Sequence, residues 1–233
     1  MKTCEEWSLE FDLLYQNITS NQAPGLVPYE KSVFLTRAQE AVVVMLYNGA
    51  LGKAFESSEE LTAYLQTLVR EKKYTMPESG TLFHIVDGSV IFKLEDDLLF
   101  RTFEKCTVSS TGCAEHDAIV VPVTQDEFWR TVRNPFKGPN ARRVLRLAYA
   151  DATSTAGFLS GNQYSELVSK DEIKSYTVRY VAKPDPIILE DLSSQNLSIN
   201  NETDKMTCKL PEVIHQTILT EAVKAAKAVW ASS

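Results

Sequence analysis

The chain has 233 residues, of which 44% are hydrophobic and 9% aromatic, and its formal net charge at pH 7 is -7. A chain of this length buries about 70% of the surface that its unfolded form exposes, so this composition excludes a largely disordered protein. The acidic charge argues against general nucleic-acid affinity, because duplex binding requires a surplus of Lys and Arg.

Cysteine usage and apolar runs narrow the class of protein further. Cys4, Cys106, Cys113 and Cys208 have neither zinc-knuckle nor CxxC spacing, so we expect reduced thiols in a cytosolic setting. The start, MKTCEEWSLEF, carries acidic residues and no apolar core, so we expect no secretory signal. The longest apolar run, Ala41 to Tyr47, is far shorter than the about 20 residues of a membrane span.

Residues 1–76 are predicted to form an N-terminal helical region. Apolar residues recur at helical spacing from Glu5 to Ile18, and a second helix runs from near Pro28 to the Asn48-Gly49 stop. A third helix opens at Ser57 or Ser58 with glutamates in its first turn. Its predicted basic end comprises Arg70, Lys72 and Lys73.

Residues 77–190 are predicted to form a β region, because short runs rich in β-branched and aromatic residues alternate with turn signals. Thr124 and Glu127 match a capping box, which predicts a short helix at 124–133, followed by a basic loop. The short connections favour an antiparallel sheet. The predicted strands are Thr81–Val86, Val90–Leu94, Leu98–Val108, Ala118–Val123, Arg142–Tyr149, Gln163–Ser169 and Ile173–Ala182.

Residues 191–233 are predicted to form a polar loop and a final helix from about Pro211 to Trp230. The predicted fold class is therefore α+β. N-terminal helices and a long C-terminal helix pack with a central antiparallel, barrel-like β region, and the three regions form one composite domain.

Candidates for catalysis or metal binding are few. His84 and His215 lie in apolar surroundings without a partner at metal spacing. Cys106, Cys113 and His116 form the most metal-like group, but their spacing is irregular and a fourth ligand is missing, which favours a simple hairpin loop. The sequence has no nucleophile elbow, phosphate loop or dinucleotide-binding motif. We predict that the protein is not an enzyme and needs no cofactor or metal.

The most informative feature is a basic segment in this acidic chain. No acidic residue lies between Arg130 and Arg146. Such asymmetry favours a contact surface, either for phosphates or for an acidic face of a neighbouring subunit. The alternative is a solvated loop whose cations pair with local acids. The predicted contact residues are Arg130, Arg133, Lys137, Arg142, Arg143 and Arg146.

Three segments resemble a virion protein of crAss-like phages, which infect Bacteroidetes. They are YEKSVFLTRAQEAVV at Tyr29–Val43, PVTQDEFWRTVRNPFKGPNARRVLRL at Pro122–Leu147 and IKSYTVRYVAKPDPIILEDL at Ile173–Leu192. The layout is also similar to the head-to-tail adaptors, or tail tubular protein A, of short-tailed phages. That second likeness includes the closing Leu-Pro-x-x-x-His-x-x-Ile helix at Leu210–Ile218.

The resemblance implies a structural subunit of a head-to-tail connector in the neck of the virion, made in the cytoplasm of the host bacterium. It implies a twelve-fold homo-oligomeric ring docked below the portal and joined to the next tail protein. The genome would pass through its channel without specific binding. Arg142, Arg143 and Arg146 are then the first choice for the subunit or portal contact. The alternative is a DNA-binding phage accessory protein that uses the basic segment 130–146.

Overall fold

The computed structural model describes residues 2–16, 25–49, 58–77, 84, 86, 88–110, 114–150 and 163–231. Within these ranges the chain forms helices α1 Cys4–Gln16, α2 Pro28–Tyr47, α3 Glu59–Leu65, α4 Phe128–Val132 and α5 Glu212–Ala231. The strands are β1 Val69–Tyr74, β2 Val90–Lys93, β3 Leu98–Ser109, β4 His116–Pro122, β5 Arg143–Ala150, β6 Gln163–Val168 and β7 Glu172–Ala182. The predicted α+β class is confirmed.

The chain divides into two compact units. One joins Met1–Leu68 to Lys183–Ser233 and contains α1, α2, α3 and α5. The other is Val69–Ala182, which contains all seven described strands and α4. That the three regions predicted from the sequence form one composite domain stays a prediction.

The helical unit is built around aromatic residues of α1. Trp7 and Phe11 are fully buried because they recur on one face of the helix. The Trp7 ring lies 4.9 Å from the imidazole of His215 on α5, measured between centroids. At the start of α1, Thr3 and Glu6 bond each other's backbone N–H groups, at 3.2 Å and 2.7 Å, as in a capping box.

A polar stripe on α2 holds the segment that follows the sheet. Ser32, Thr36 and Gln39 are buried at helical spacing. The Thr36 hydroxyl accepts a hydrogen bond from the Ile187 N–H at 3.1 Å, and Ser32 accepts one from the Leu189 N–H at 3.0 Å. These side chains satisfy backbone groups that would otherwise be buried without a partner.

The seven strands form one sheet in the order β1-β7-β3-β4-β5-β6-β2, which curls into a half-barrel. The prediction of a purely antiparallel sheet is wrong at one pair, because β4 and β5 run parallel, with Val120 opposite Val144. A parallel pair needs a crossover of at least about a dozen residues. Here α4 and the basic loop supply that crossover between Pro122 and Arg143.

Two predicted boundaries are wrong. The basic end of the third helix, Arg70 to Lys73, lies in strand β1, which pairs with β7. The hydrogen bonds offered by β7 outweigh the local helical pattern, since tertiary pairing overrides propensity. The helix predicted at 124–133 covers only Phe128–Val132, and no capping side chain bonds its first turn.

The remaining elements follow the predictions within a few residues. The first helix is described only to Gln16, and the rest of the predicted span lies outside the described residues, as does most of the predicted strand Thr81–Val86. None of the helices in the described part of the chain is both long and apolar enough to cross a membrane.

Candidate interaction surface

The basic segment forms the crossover between β4 and β5. Helix α4 is anchored by Phe128, which is 1% exposed and packs in the core beside Leu145 and Leu147 of β5. The loop that follows leads back into β5 beside β4. The sheet therefore sets the position of the basic residues, although most of them lie outside regular elements.

Hydrogen bonds between residues close in sequence stabilise the conformation of the loop. The Asn134 side-chain oxygen accepts from the backbone N–H groups of Phe136 and Lys137 at 2.9 Å and 3.2 Å. The Asn140 side-chain oxygen accepts from the Arg142 N–H at 2.9 Å. Asn side chains commonly close turns in this way. At Gly138 the loop returns so close to α4 that a Cβ atom would lie 2.8 Å from the Val132 carbonyl oxygen.

Five of the six predicted contact residues lie at this surface. Four of them are exposed and the fifth, Arg143, is half-buried. In the described part of the chain none of the five is in an ion pair. Besides hydrogen bonds, chiefly from Thr124, the nearby charge of Arg130 lowers the pKa of the Asp126 carboxyl group, so the alternative in which these cations are balanced by local acids stays open. The five are Arg130, Arg133, Lys137, Arg142 and Arg143.

Two large aromatic side chains stand among these cations. Trp129 is 53% exposed and Phe136 is 86% exposed. The Arg143 guanidinium donates to the Phe136 carbonyl at 2.6 Å, which holds the loop under that ring. Exposed aromatics beside arginines are the residue types that dominate binding energy at protein interfaces. We call Trp129, Phe136 and the five cations the basic–aromatic surface.

A cleft of about 360 Å³ adjoins this surface. Its lining combines apolar residues, cations and an acid: Val121, Pro122, Val123, Thr124, Glu127, Thr131, Lys137 and Arg143. Such a cleft can accept an apolar side chain and place a neighbouring carboxylate against the cations. The arrangement suits a protein partner with acidic and apolar groups.

Arg146, the sixth predicted residue, is separated from the surface. Its side chain is 10% exposed, and its Nε lies 3.0 Å from a carboxylate oxygen of Glu104, which is also 10% exposed. Tyr176 donates its hydroxyl hydrogen bond to the same carboxylate, and burial raises the pKa of that tyrosine. Arg101 lies 3.9 Å from it. Arg146 is thus part of a buried charge cluster, and a partner cannot reach it in this conformation.

The metal-like group is not assembled in the described residues. Cys106 is fully buried in the core of the β unit, and His116 directs its Nε2 to the Ala141 carbonyl at 2.7 Å. Cys113 lies outside the described residues. Where the structure describes the chain, no group of three or more His, Cys, Asp or Glu side chains could hold a metal ion.

Comparison with known proteins decides the family. A family model described as "Phage tail ring protein 3/4" matches residues 1–232. The chain belongs to this family of phage tail ring proteins. It is 38% identical over 230 residues to "Ring protein 3" of Bacteroides phage crAss001, an alignment that covers 96% of this chain and 94% of the relative.

A second relative from the same phage is more distant. "Ring protein 4/5" of Bacteroides phage crAss001 is 31% identical over 230 residues, covering 97% of this chain and 92% of the relative. Both relatives are named as ring proteins, and the resemblance to crAss-like phage ring proteins is confirmed.

The sequence predicts the basic segment, but it does not predict which of its cations are exposed and which are buried. The single acid that neutralises Arg146, Glu104, lies 42 positions away in sequence and gave no local signal. Arg143 and Arg146 are three positions apart in RVLRL and so lie on opposite faces of a strand, but this spacing cannot say which arginine is buried. Trp129 and Phe136 were too few to suggest base stacking, and their exposure follows only from the fold.

Proposed function

We propose that this tail ring protein is a non-enzymatic subunit of a homo-oligomeric ring in the head-to-tail connector. The ring docks below the portal, joins it to the next tail protein and surrounds the channel through which the genome leaves. Membership of the ring family over the whole chain supports a structural role. The number of twelve subunits, and the place in the virion neck, come from the resemblance to adaptors of short-tailed phages.

The basic–aromatic surface carries the proposal. The exposed rings of Trp129 and Phe136 favour burial against a partner, and the neighbouring cations can pair with acidic groups of that partner. The whole chain has a formal net charge of -7 despite this basic surface, so a neighbouring subunit offers acidic surface to this one. We assign the surface to a contact with a neighbouring subunit or the portal.

Passage of DNA without specific binding agrees with the same charge distribution. An acidic chain repels phosphates outside the one basic region, so a channel lined by its acidic surface does not retain DNA. The competing function, a DNA-binding accessory protein, requires the cations to release counterions from phosphates and therefore requires steep salt dependence.

Molar mass in solution tests the proposal. The purified chain is measured by light scattering alone and with the portal of the same phage, at low and moderate salt. We expect a defined ring on the portal and its loss in the variant R130E/R133E. The control, R37E/K170E, makes the same charge change at two other exposed cations that lie outside the surface. A chain that ignores the portal and binds duplex DNA with steep salt dependence would favour the accessory protein.

A further inference from the structure

Helix α1 presents an exposed stripe of apolar and acidic side chains. Leu9 is 69% exposed and Leu13 is 61% exposed, which is unusual on a helix whose other face carries fully buried aromatics. Glu5 and Glu6 are exposed too. At 3.6 residues per turn these four side chains lie on one side of the helix, opposite Trp7 and Phe11. We call Glu5, Glu6, Leu9 and Leu13 the α1 face.

The carboxylates of this face are available to a partner. In the described ranges neither Glu5 nor Glu6 forms an ion pair with Lys or Arg, whereas Glu10 pairs with Lys2 and Asp12 with Lys31. Hydrogen bonds from Thr3 lower the pKa of Glu6, which favours its ionised form. The face therefore combines fixed negative charge with two exposed leucines.

We propose that the α1 face of one copy binds the basic–aromatic surface of the next copy. This inference rests on the proposed function and names the subunit contact within it. Glu5 and Glu6 would meet Arg130 and Arg133, while Leu9 and Leu13 would cover Trp129, Phe136 and the adjoining cleft. The two surfaces match in charge and in apolar character.

Two unlike surfaces that fit each other produce a head-to-tail contact. Each copy then has one surface free for the next, so the contact repeats and closes into a ring when the rotation permits. A self-complementary contact would instead stop at a dimer. Since the leucine and aromatic groups stay apolar at all salt concentrations, salt weakens but does not abolish the contact.

Charge exchange tests this pairing. E5K/E6K and R130E/R133E each place like charges across the contact, and we expect each variant alone to lose the ring in light scattering. The combined variant E5K/E6K/R130E/R133E restores opposite charges, and so does an equal mixture of the two double variants. We expect the ring to return in both cases. Failure of both to return, with all variants folded by circular dichroism, would overturn the pairing.

Photo-crosslinking distinguishes a failure of the α1 pairing from a failure of the proposed ring function. Benzoylphenylalanine replaces Phe136 in the assembled protein, and the linked peptide is identified by mass spectrometry. We expect links to residues 5–16 of another copy. If the chain forms its ring but the probe links to the portal or to a different segment, only the α1 pairing is overturned. If no ring forms with or without portal, the proposed function itself fails.

Discussion

Arg146 and Glu104 form an ion pair inside the β unit, with the Arg146 Nε 3.0 Å from a Glu104 carboxylate oxygen and both side chains 10% exposed. The pair joins β3 to β5 across the intervening strand β4. Tyr176 of β7 adds its hydroxyl to the same carboxylate. Three strands of the sheet are therefore tied by one buried carboxylate, which gives the sheet a specific register.

We expect Glu104→Gln to destabilise the chain strongly. Removing one charge of a buried pair leaves the other without compensation, which costs about 3–5 kcal/mol. Urea unfolding monitored by circular dichroism measures the change. The matched variant Glu104→Leu/Arg146→Met removes both charges of this pair and leaves only Arg101 of the cluster, which is 19% exposed, so we expect it to cost less than the single substitution. A single substitution within about 0.5 kcal/mol of the wild type would contradict the role of the pair.

His215 predicts a pH dependence of stability. Burial lowers its pKa below the ordinary 6.5, and its Nε2 bonds the Leu210 carbonyl oxygen at 2.9 Å. The unfolded chain then binds a proton more readily than the folded chain, so stability is full above 6.5 and falls as the pH drops toward the folded-state pKa. Urea unfolding between about pH 8 and about pH 5 measures this. In His215→Gln the free energy of unfolding should depend less on pH. An unchanged pH dependence would show that His215 is not its cause.

Gly138 is required for the shape of the basic loop. A Cβ atom there would lie 2.8 Å from the Val132 carbonyl oxygen and 2.9 Å from that of Asn134, and backbone atoms yield little. We expect Gly138→Ala to cost about 1–3 kcal/mol and to speed hydrogen exchange of the loop amides. Gly25→Ala is the control, because nothing lies within 4 Å of its added Cβ. Equal hydrogen-exchange rates of the loop amides in the two variants would show that the loop accommodates the added Cβ atom at position 138.

Thr36 bonds both backbone groups of Ile187, accepting at 3.1 Å and donating at 3.3 Å. Thr36→Val keeps the shape but leaves a buried N–H and C=O without this partner, so we expect a loss of about 1–3 kcal/mol in unfolding free energy. The control is Thr220→Val, an exposed threonine whose hydroxyl donates to the Gln216 carbonyl one turn earlier in its own helix. Similar losses of unfolding free energy in the two variants would contradict a specific stabilising role of the buried hydrogen bonds of Thr36.

The described cysteines should react slowly in the folded protein. Burial raises the pKa of Cys106 to about 12 and that of Cys208 to about 11, so little thiolate forms at neutral pH. Iodoacetamide labelling, resolved by residue with mass spectrometry, should modify both sites readily only in urea. Fast labelling of Cys106 under native conditions would show that β3 opens locally.

Periodicity predicted most elements of this fold. The apolar spacing in α2 and α5 and the β-branched runs of β3 and β7 each specify one element locally, and the structure places them within a few residues of the prediction. Strand β1 escaped prediction because VREKKY, Val69 to Tyr74, is charged and mostly exposed, with only its pairing to β7 holding it extended. That pairing joins segments over 100 residues apart.

The sequence by itself determined that this acidic chain has an α+β core, one basic segment and the signature of phage ring proteins. Only the tertiary structure decided which arginines are exposed and which one is buried. Neighbours in one basic segment separate because a strand alternates its faces, and because Arg146 meets a carboxylate from a distant strand. The exposure of Trp129 beside the buried Phe128 has the same origin, since only the packed sheet defines an inside.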